Sequence, residues 1–429
     1  VVLRVGRRTG SDGHSEDHPE RDERVRESAD PRTIHVTEHY VRTGVVTRHQ
    51  ATLRVVAMCT VSGMNGDEVL LDRIGRVRAQ LAALDVDALL LSVGADLPYL
   101  TGYRAMPLER LTMLVLPVAG DATLLVPGLE AARVEERPSV FGLETWGETD
   151  DPIVRVDELL GGARRAAIGD QTWAQFVVAL LRQRSSLDLV RGSDVTGPIR
   201  MRKDAAEVEA LAAAASAADA VQQQLRDGTI PLVGRRESDV AADIARGLLD
   251  AGHDLVNFTI VASGPNAASP HHEAGDRVIQ TGENVLFDIG GTREDYCSDI
   301  TRCVHVGEPP AAFAELYDVL HASQAAGVAA ATEGTPAQDV DRACRQVIDD
   351  AGYGEYFIHR TGHGIGIDAH EDPYIVEGNE LPLEVGHAFS VEPGIYVPDQ
   401  WGARLEDIVV VTEDGPRALN QVDHGLAVI

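Results

Sequence analysis

The sequence predicts two folded domains: a small α/β domain over residues 66–197 and a larger α+β domain over residues 198–429. Three observations carry this reading. A chain of 429 residues is too long for one ordinary core, because domains run to about 100–200 residues. The first half alternates short apolar runs with amphipathic helical patterns. The second half groups its strand candidates between long helices, as expected for a sheet layer covered by helices on one face.

The stretch before the first domain differs from the rest. Val1 to about residue 65 mixes both charge signs, carries His14, His18, His35, His39 and His49, and shows no sustained periodicity. It reads as a disordered or mis-assigned extension. The chain opens on Val, and Met58 and Met64 lie just ahead of the first convincing helix. A basic start with no apolar run behind it is not a secretory signal.

Beyond this point the elements follow in order. Leu70, Leu71, Ile74, Val77, Leu81 and Leu84 recur at helical spacing. Ala88–Val93 predicts a buried strand, and Leu111–Val118 with Ala122–Val126 predicts a hairpin around Ala-Gly-Asp. No G-x-G-x-x-G or P-loop occurs in this half, so it is assigned no chemistry of its own. A domain boundary falls at Pro198–Lys203. Asp204-Ala-Ala-Glu207 has the pattern of a capping box, in which each end of the motif satisfies the other's free backbone N–H. It opens a long Ala-rich helix that Asp227-Gly228 stops. Further helices are expected over Ser238–Ala251, Ala311–Thr332 and Val340–Ala351. Strands are expected over Phe258–Ala262, Val285–Ile289, Tyr296–Val306, Ala388–Val397 and Leu405–Thr412.

Composition removes several function classes. A formal charge of −30 argues against nucleic acid and anionic membrane as partners, since both need a basic face. No apolar run reaches the ~18 residues of a membrane span. Cys59, Cys297, Cys303 and Cys344 show no C-x-x-C spacing and read as reduced thiols of a cytoplasmic protein.

The chemistry lies in carboxylates set among apolar residues. Asp288 sits inside Val-Leu-Phe-Asp-Ile-Gly and Asp299 inside Tyr-Cys-Ser-Asp-Ile-Thr, and the glycine-rich segment between them predicts that the two strands pair. The C-terminal part repeats the device: Glu392 lies in an apolar strand and Glu406 heads another. Four converging carboxylates repel one another, and two divalent cations would balance them. Between the pairs lies His359-Arg-Thr-Gly-His363-Gly-Ile-Gly-Ile-Asp-Ala-His370-Glu-Asp-Pro. Its glycines 362, 364 and 366 allow unusual backbone angles and close approach to a ligand.

With these motifs in place, the chain from about Asp67 to its end resembles the Xaa-Pro peptidases, prolidase and aminopeptidase P. The resemblance implies a pita-bread catalytic domain behind a creatinase-like N-terminal domain. It implies five metal ligands, Asp288, Asp299, His363, Glu392 and Glu406, with Asp299 and Glu406 bridging two ions. It also implies His271 and His370 as catalytic histidines, His271 being chosen over its neighbour His272. Glu392 would take the proton of the attacking water, and Arg404 would hold a ligand carboxylate. Thr301 and His359 are further supporting candidates. Four carboxylates and one imidazole suit manganese, with cobalt, zinc or iron also compatible. The expected substrate is a small peptide with proline second, hydrolysed by a hydroxide that the two ions generate. A homodimer is expected from the resemblance alone. Tyr374 stands where some bacterial prolidases carry an arginine for the dipeptide carboxylate, so dipeptidase and aminopeptidase both stay open. Rival readings are a non-prolyl hydrolase or lyase on the same scaffold and a catalytically silent binding module.

Overall fold

The computed structural model describes residues 66–429, together with two short strands, His35–Val36 and Ala51–Thr52, that pair antiparallel. The extension expected over residues 1–65 otherwise lies outside the described residues.

The first domain is built on a six-stranded mixed sheet in the order Gly142–Trp146, Thr123–Pro127, Met113–Pro117, Ala88–Leu91, Arg165–Ile168, Asp188–Arg191. Side chains of a strand alternate between faces, and both faces here are apolar. Leu89 and Leu91 pack with Leu70, Ile74, Val77 and Leu81 of the Gly66–Ala83 helix. Ala88 and Leu90 pack on the other side with Ile153, Val156 and Leu160 of the Pro152–Leu160 helix. Each leucine taken fully out of water contributes roughly 1.5–3 kcal/mol. The expected hairpin is present, with Met113 opposite Leu125.

The boundary stretch is more regular than the sequence implies. Residues Ser193–Met201 form a helix with Pro198 inside it. Burial of Val195, Thr196 and Ile199 outweighs the backbone hydrogen bond that the proline forgoes. The capping box then forms as expected: Asp204 Oδ1 accepts the Ala206 and Glu207 amides, and Glu207 Oε2 accepts the Asp204 amide at 3.0 Å. It launches the Ala205–Arg226 helix.

The second domain runs twice through the order helix, helix, strands. Helices Ala205–Arg226 and Glu237–Asp250 cover a sheet of Leu255–Ser263, Asn284–Arg293 and Ile300–His305. Helices Ala311–Ala330 and Ala337–Asp350 cover a second sheet, ordered Glu371–Ile375, Gly362–Gly364, Ala388–Val391, Asp407–Thr412, Gly415–Ala418. Phe287 and Ile289 face the first helix pair, so strand alternation turns Asp288 the other way, toward the second half. The expected pairing is present, with Asp288 opposite Thr301.

Two predicted strands are broken and a third, expected from Leu405, starts only at Asp407, each at a candidate site residue. Tyr296–Val306 splits into Tyr296–Cys297 and Ile300–His305, leaving Asp299 in the gap. Ala388–Val397 splits into Ala388–Val391 and Gly394–Val397 at Glu392 and Pro393, where proline ends the ladder. Glu406 falls between Trp401–Arg404 and Asp407–Thr412. A residue inside a ladder points straight off one face. A residue at a break can aim its carboxylate across the gap between two sheets.

Candidate metal centre

The breaks bring the four carboxylates and His363 to one place. Ligand atoms of Asp288, Asp299 and Glu406 lie within 4.8 Å of one another, as do those of His363, Glu392 and Glu406, and those of Asp299, His363 and His370. Glu406 therefore belongs to two groups that otherwise share no residue. The backbone ties the halves together through the Glu406 amide, which donates to the Thr301 carbonyl at 3.2 Å; within the second half the Glu392 amide donates to the Thr361 carbonyl at 2.8 Å.

The electrostatics are those of a site built around positive charge. Burial, then the charges of Glu406, Asp288 and Glu392, pushes Asp299 well above the usual carboxylate range. Burial and the charges of Glu392 and Asp288 do the same to Glu406. Burial pushes Glu392 up to about 7. One oxygen each of Asp288 and Asp299 is buried with no hydrogen-bond partner. A buried carboxylate oxygen without a donor is costly, and a divalent cation is the partner that this donor set fits. His363 is arranged to match. Its Nδ1 donates to the Gly364 carbonyl at 3.0 Å, which leaves Nε2 unprotonated, 3.4 Å from Glu392 Oε1 and 3.8 Å from Asp299 Oδ2. Burial lowers its pKa to about 4, so it is neutral at neutral pH, as a metal-binding imidazole must be.

The sequence matches metallopeptidase family M24 over residues 207–413 and the creatinase/prolidase N-terminal domain over residues 73–202. A probable dipeptidase PepE of Mycobacterium tuberculosis is 44% identical over 367 residues, covering 84% of this chain and 97% of that one. The chain belongs to metallopeptidase family M24. Among solved structures, the dipeptidase PepE of Mycobacterium ulcerans superposes with a TM-score of 0.81 at 45% identity, over 86% of this chain and all of that one. The Xaa-Pro dipeptidase of Bacillus anthracis superposes with a TM-score of 0.75 at 28% identity, over 84% of this chain and all of that one.

In this M24 metallopeptidase, the expected creatinase-like domain followed by a pita-bread domain is the observed fold. Arg404 ends the Trp401–Arg404 strand, across a strand break from Glu406. Its Nη2 donates to Asp288 Oδ2 at 2.5 Å, and its Nε lies 3.9 Å from Glu392 Oε2. Thr301 stands between, accepting from Arg404 Nε at 3.1 Å and donating to Glu406 Oε2 at 2.6 Å. His359 closes the chain of contacts. Its Nδ1 donates to the Arg360 carbonyl at 2.7 Å, and its Nε2 accepts the Tyr396 hydroxyl at 2.9 Å. That hydroxyl accepts Arg404 Nη1 at 2.8 Å. Burial and the Arg404 charge lower His359 to about 3, so it acts as a neutral acceptor.

The two histidines expected to be catalytic, His271 and His370, are placed as follows. The His370 ring lies 3.8 Å from that of His363, centroid to centroid, and His370 is exposed. Although the residue as a whole is open to solvent, partial burial of its imidazole against His363 lowers it to about 4. His272 is occupied elsewhere, with Nε2 2.8 Å from the fully buried Glu237. His271 is exposed.

The glycines of the histidine loop do not serve as expected. None of 362, 364 and 366 has positive φ. Instead a Cβ at Gly362 would run into the Ser390 carbonyl, one at Gly364 into the Asp372 carbonyl, and one at Gly366 would come within 2.7 Å of Glu371 Oε1. Their role is close approach of protein to protein. Sequence reasoning also missed Ser390, whose hydroxyl accepts the His363 amide and donates to Glu392 Oε1 at 3.1 Å. Its place two residues before Glu392, on the same strand face, is a signal that could have found it. It missed Tyr396 too, whose ring fills space that a Cβ at Gly394 or Gly402 would occupy. Cys297 and Cys303 are free thiols packed in the core, with burial raising both to about 11.

Proposed function

We propose that this metallopeptidase binds two divalent ions and hydrolyses the Xaa-Pro bond of dipeptides and short peptides. The observation that carries the proposal is the division of the candidate ligands into two groups joined at Glu406. Asp288, Asp299 and Glu406 would hold one ion, and His363, Glu392 and Glu406 the other, with Asp299 reaching both. Oxygen donors dominate, which favours manganese. Ions held there supply Lewis acidity and an activated water at neutral pH.

The chain's own residues do the rest. Glu392 takes the proton from the attacking water. His370 and His271 hydrogen-bond the substrate carbonyl as negative charge develops on its oxygen. Arg404 keeps Asp288 oriented and offsets one charge of the cluster. Relatives with the names dipeptidase and Xaa-Pro dipeptidase support the substrate class. The homodimer belongs to the same proposal and is checked by light scattering.

The test is hydrolysis of an Xaa-Pro dipeptide and an Xaa-Pro tripeptide by metal-stripped protein, with and without manganese. Cleavage restored by manganese and lost in Asp299→Ala supports the mechanism, with the dipeptide preferred. Cleavage of non-prolyl dipeptides alone would overturn the substrate assignment.

A further inference from the structure

Lys203 is the only lysine in a chain that otherwise meets every need for a basic side chain with arginine. It lies in the segment joining the two domains, and its side chain is 1% exposed. Its Nζ is 2.6 Å from Glu371 Oε1. Arg200, from the last helix of the small domain, reaches the other oxygen of the same carboxylate. Arg200 is fixed in turn by Asp96 of the small domain at 2.8 Å and by Asp368 of the histidine loop at 3.0 Å. Glu371 therefore receives two cations from outside its own domain core, and its side chain is 9% exposed.

Such a cluster, taken out of water, is weak evidence for stability, because desolvation offsets most of its attraction. Its placement says what it does. Glu371 directly follows His370, and it opens the strand whose partner holds His363, with Gly364 opposite Glu371. Gly366 lacks the Cβ that would come within 2.7 Å of the Glu371 carboxylate. The loop is thus cut back to admit this carboxylate beneath it. His370 itself is exposed, so packing alone does not fix its ring.

We propose that Glu371, clamped by Lys203 and Arg200, is a positioning residue that sets His370 against His363, so that the small domain's junction helps to shape the catalytic centre. A compact ammonium is required at 203 because the site is closed on all sides, and a guanidinium is longer and planar. This inference rests on the reading of His370 as a group that meets the substrate.

Glu371→Gln tests it: the amide keeps hydrogen-bonding atoms at 371 and Arg200 still faces Asp96 and Asp368, while Lys203 loses its charged partner, so the melting temperature is measured beside the kinetics. With the best dipeptide substrate, kcat falls about 10–100-fold, within the range of one misplaced acid–base or hydrogen-bonding group, while KM and metal content stay near the parent values. In a His370→Ala background the same exchange has less than about a twofold effect, because groups that act as a unit are not additive. A crystal structure of metal-free Glu371→Gln, read as the His363–His370 ring separation, shows it changed from 3.8 Å. Parent kcat in Glu371→Gln, an equal loss with alanine at 370, or an unchanged ring separation each overturns the proposal. If His370→Ala alone leaves kcat intact, the reading of His370 falls, and the ring separation still decides the clamp. Lys203→Met combined with Glu371→Gln, which removes both partners, gives the same kinetic result if the single variant is unstable.

Discussion

At the scale of single residues, Arg404 shows how one cation serves several acids. It is 2% exposed and meets Asp288, Thr301 and Tyr396 together. Its pKa is held well above the usual arginine value by the charges of Tyr396, Asp288 and Glu392, against burial, which lowers it. Removing one partner of a buried pair leaves the other uncompensated, at about 3–5 kcal/mol. Arg404→Met is therefore expected to lower the unfolding free energy of the metal-free protein, read from urea denaturation, by an amount in that range. It also weakens metal binding, read by competition with a chelator. Arg404→Lys keeps the charge but loses the fork of donors, and should recover stability only in part.

At the scale of elements, the site is made by interruptions. Asp299, Glu392 and Glu406 each sit where a strand stops, so the chain can change direction and aim a carboxylate between two sheets. The glycines of the histidine loop let neighbouring strands close up at the same place. Gly364→Ala puts a methyl group into the Asp372 carbonyl, and a backbone atom cannot rotate out of the way as a side chain can. Overpacking of this kind costs typically about 1–3 kcal/mol. The expected outcome is a lower melting temperature and loss of metal binding together, whereas Gly228→Ala, where a Cβ meets nothing but φ is positive, lowers stability alone. Equal metal affinity in both variants would count against the role assigned to Gly364.

At the scale of the whole molecule, two buried ionic clusters cross from the small domain to the catalytic one. One is Arg200 with Glu371. The other is Arg73, whose Nη2 lies 3.5 Å from Glu207 Oε1 and donates to the Tyr296 hydroxyl at 3.2 Å, three residues before Asp299. The carboxylate centre also sets a pH dependence for the whole fold. Glu392 is raised from 4.5 to about 7, chiefly by burial, and Asp299 and Glu406 are raised as well. A carboxyl group raised on folding binds protons more tightly in the native state. The metal-free protein therefore loses stability as pH climbs from 4.5 to 7, by up to about 1.4 kcal/mol per unit for each such group. Bound cations remove that penalty. The gap in melting temperature between metal-loaded and chelated protein is expected to widen from pH 5 to pH 7.5. A constant gap would mean that these carboxyls are not coupled through the site.

Much of this was legible in one dimension. The capping box, the helix pairs and the hairpin follow from local propensity and periodicity, which a sequence states directly. Asp288, Asp299, Glu392 and Glu406 stand out because charged residues among Phe, Ile and Val need a reason to be there, whereas the selection of His363 among three loop histidines comes from the family resemblance. Three things were not legible, because they depend on groups distant in the chain. The strand breaks depend on where two sheets face each other. The work of glycines 362, 364 and 366 depends on which carbonyl or carboxylate arrives opposite them. The hold of the buried Glu237 on His272 depends on a helix distant in the chain. The sequence by itself determined which residues could carry the chemistry. Only the tertiary structure decided how they are aimed, because direction is a property of the packed sheets and of the ionic contacts between domains.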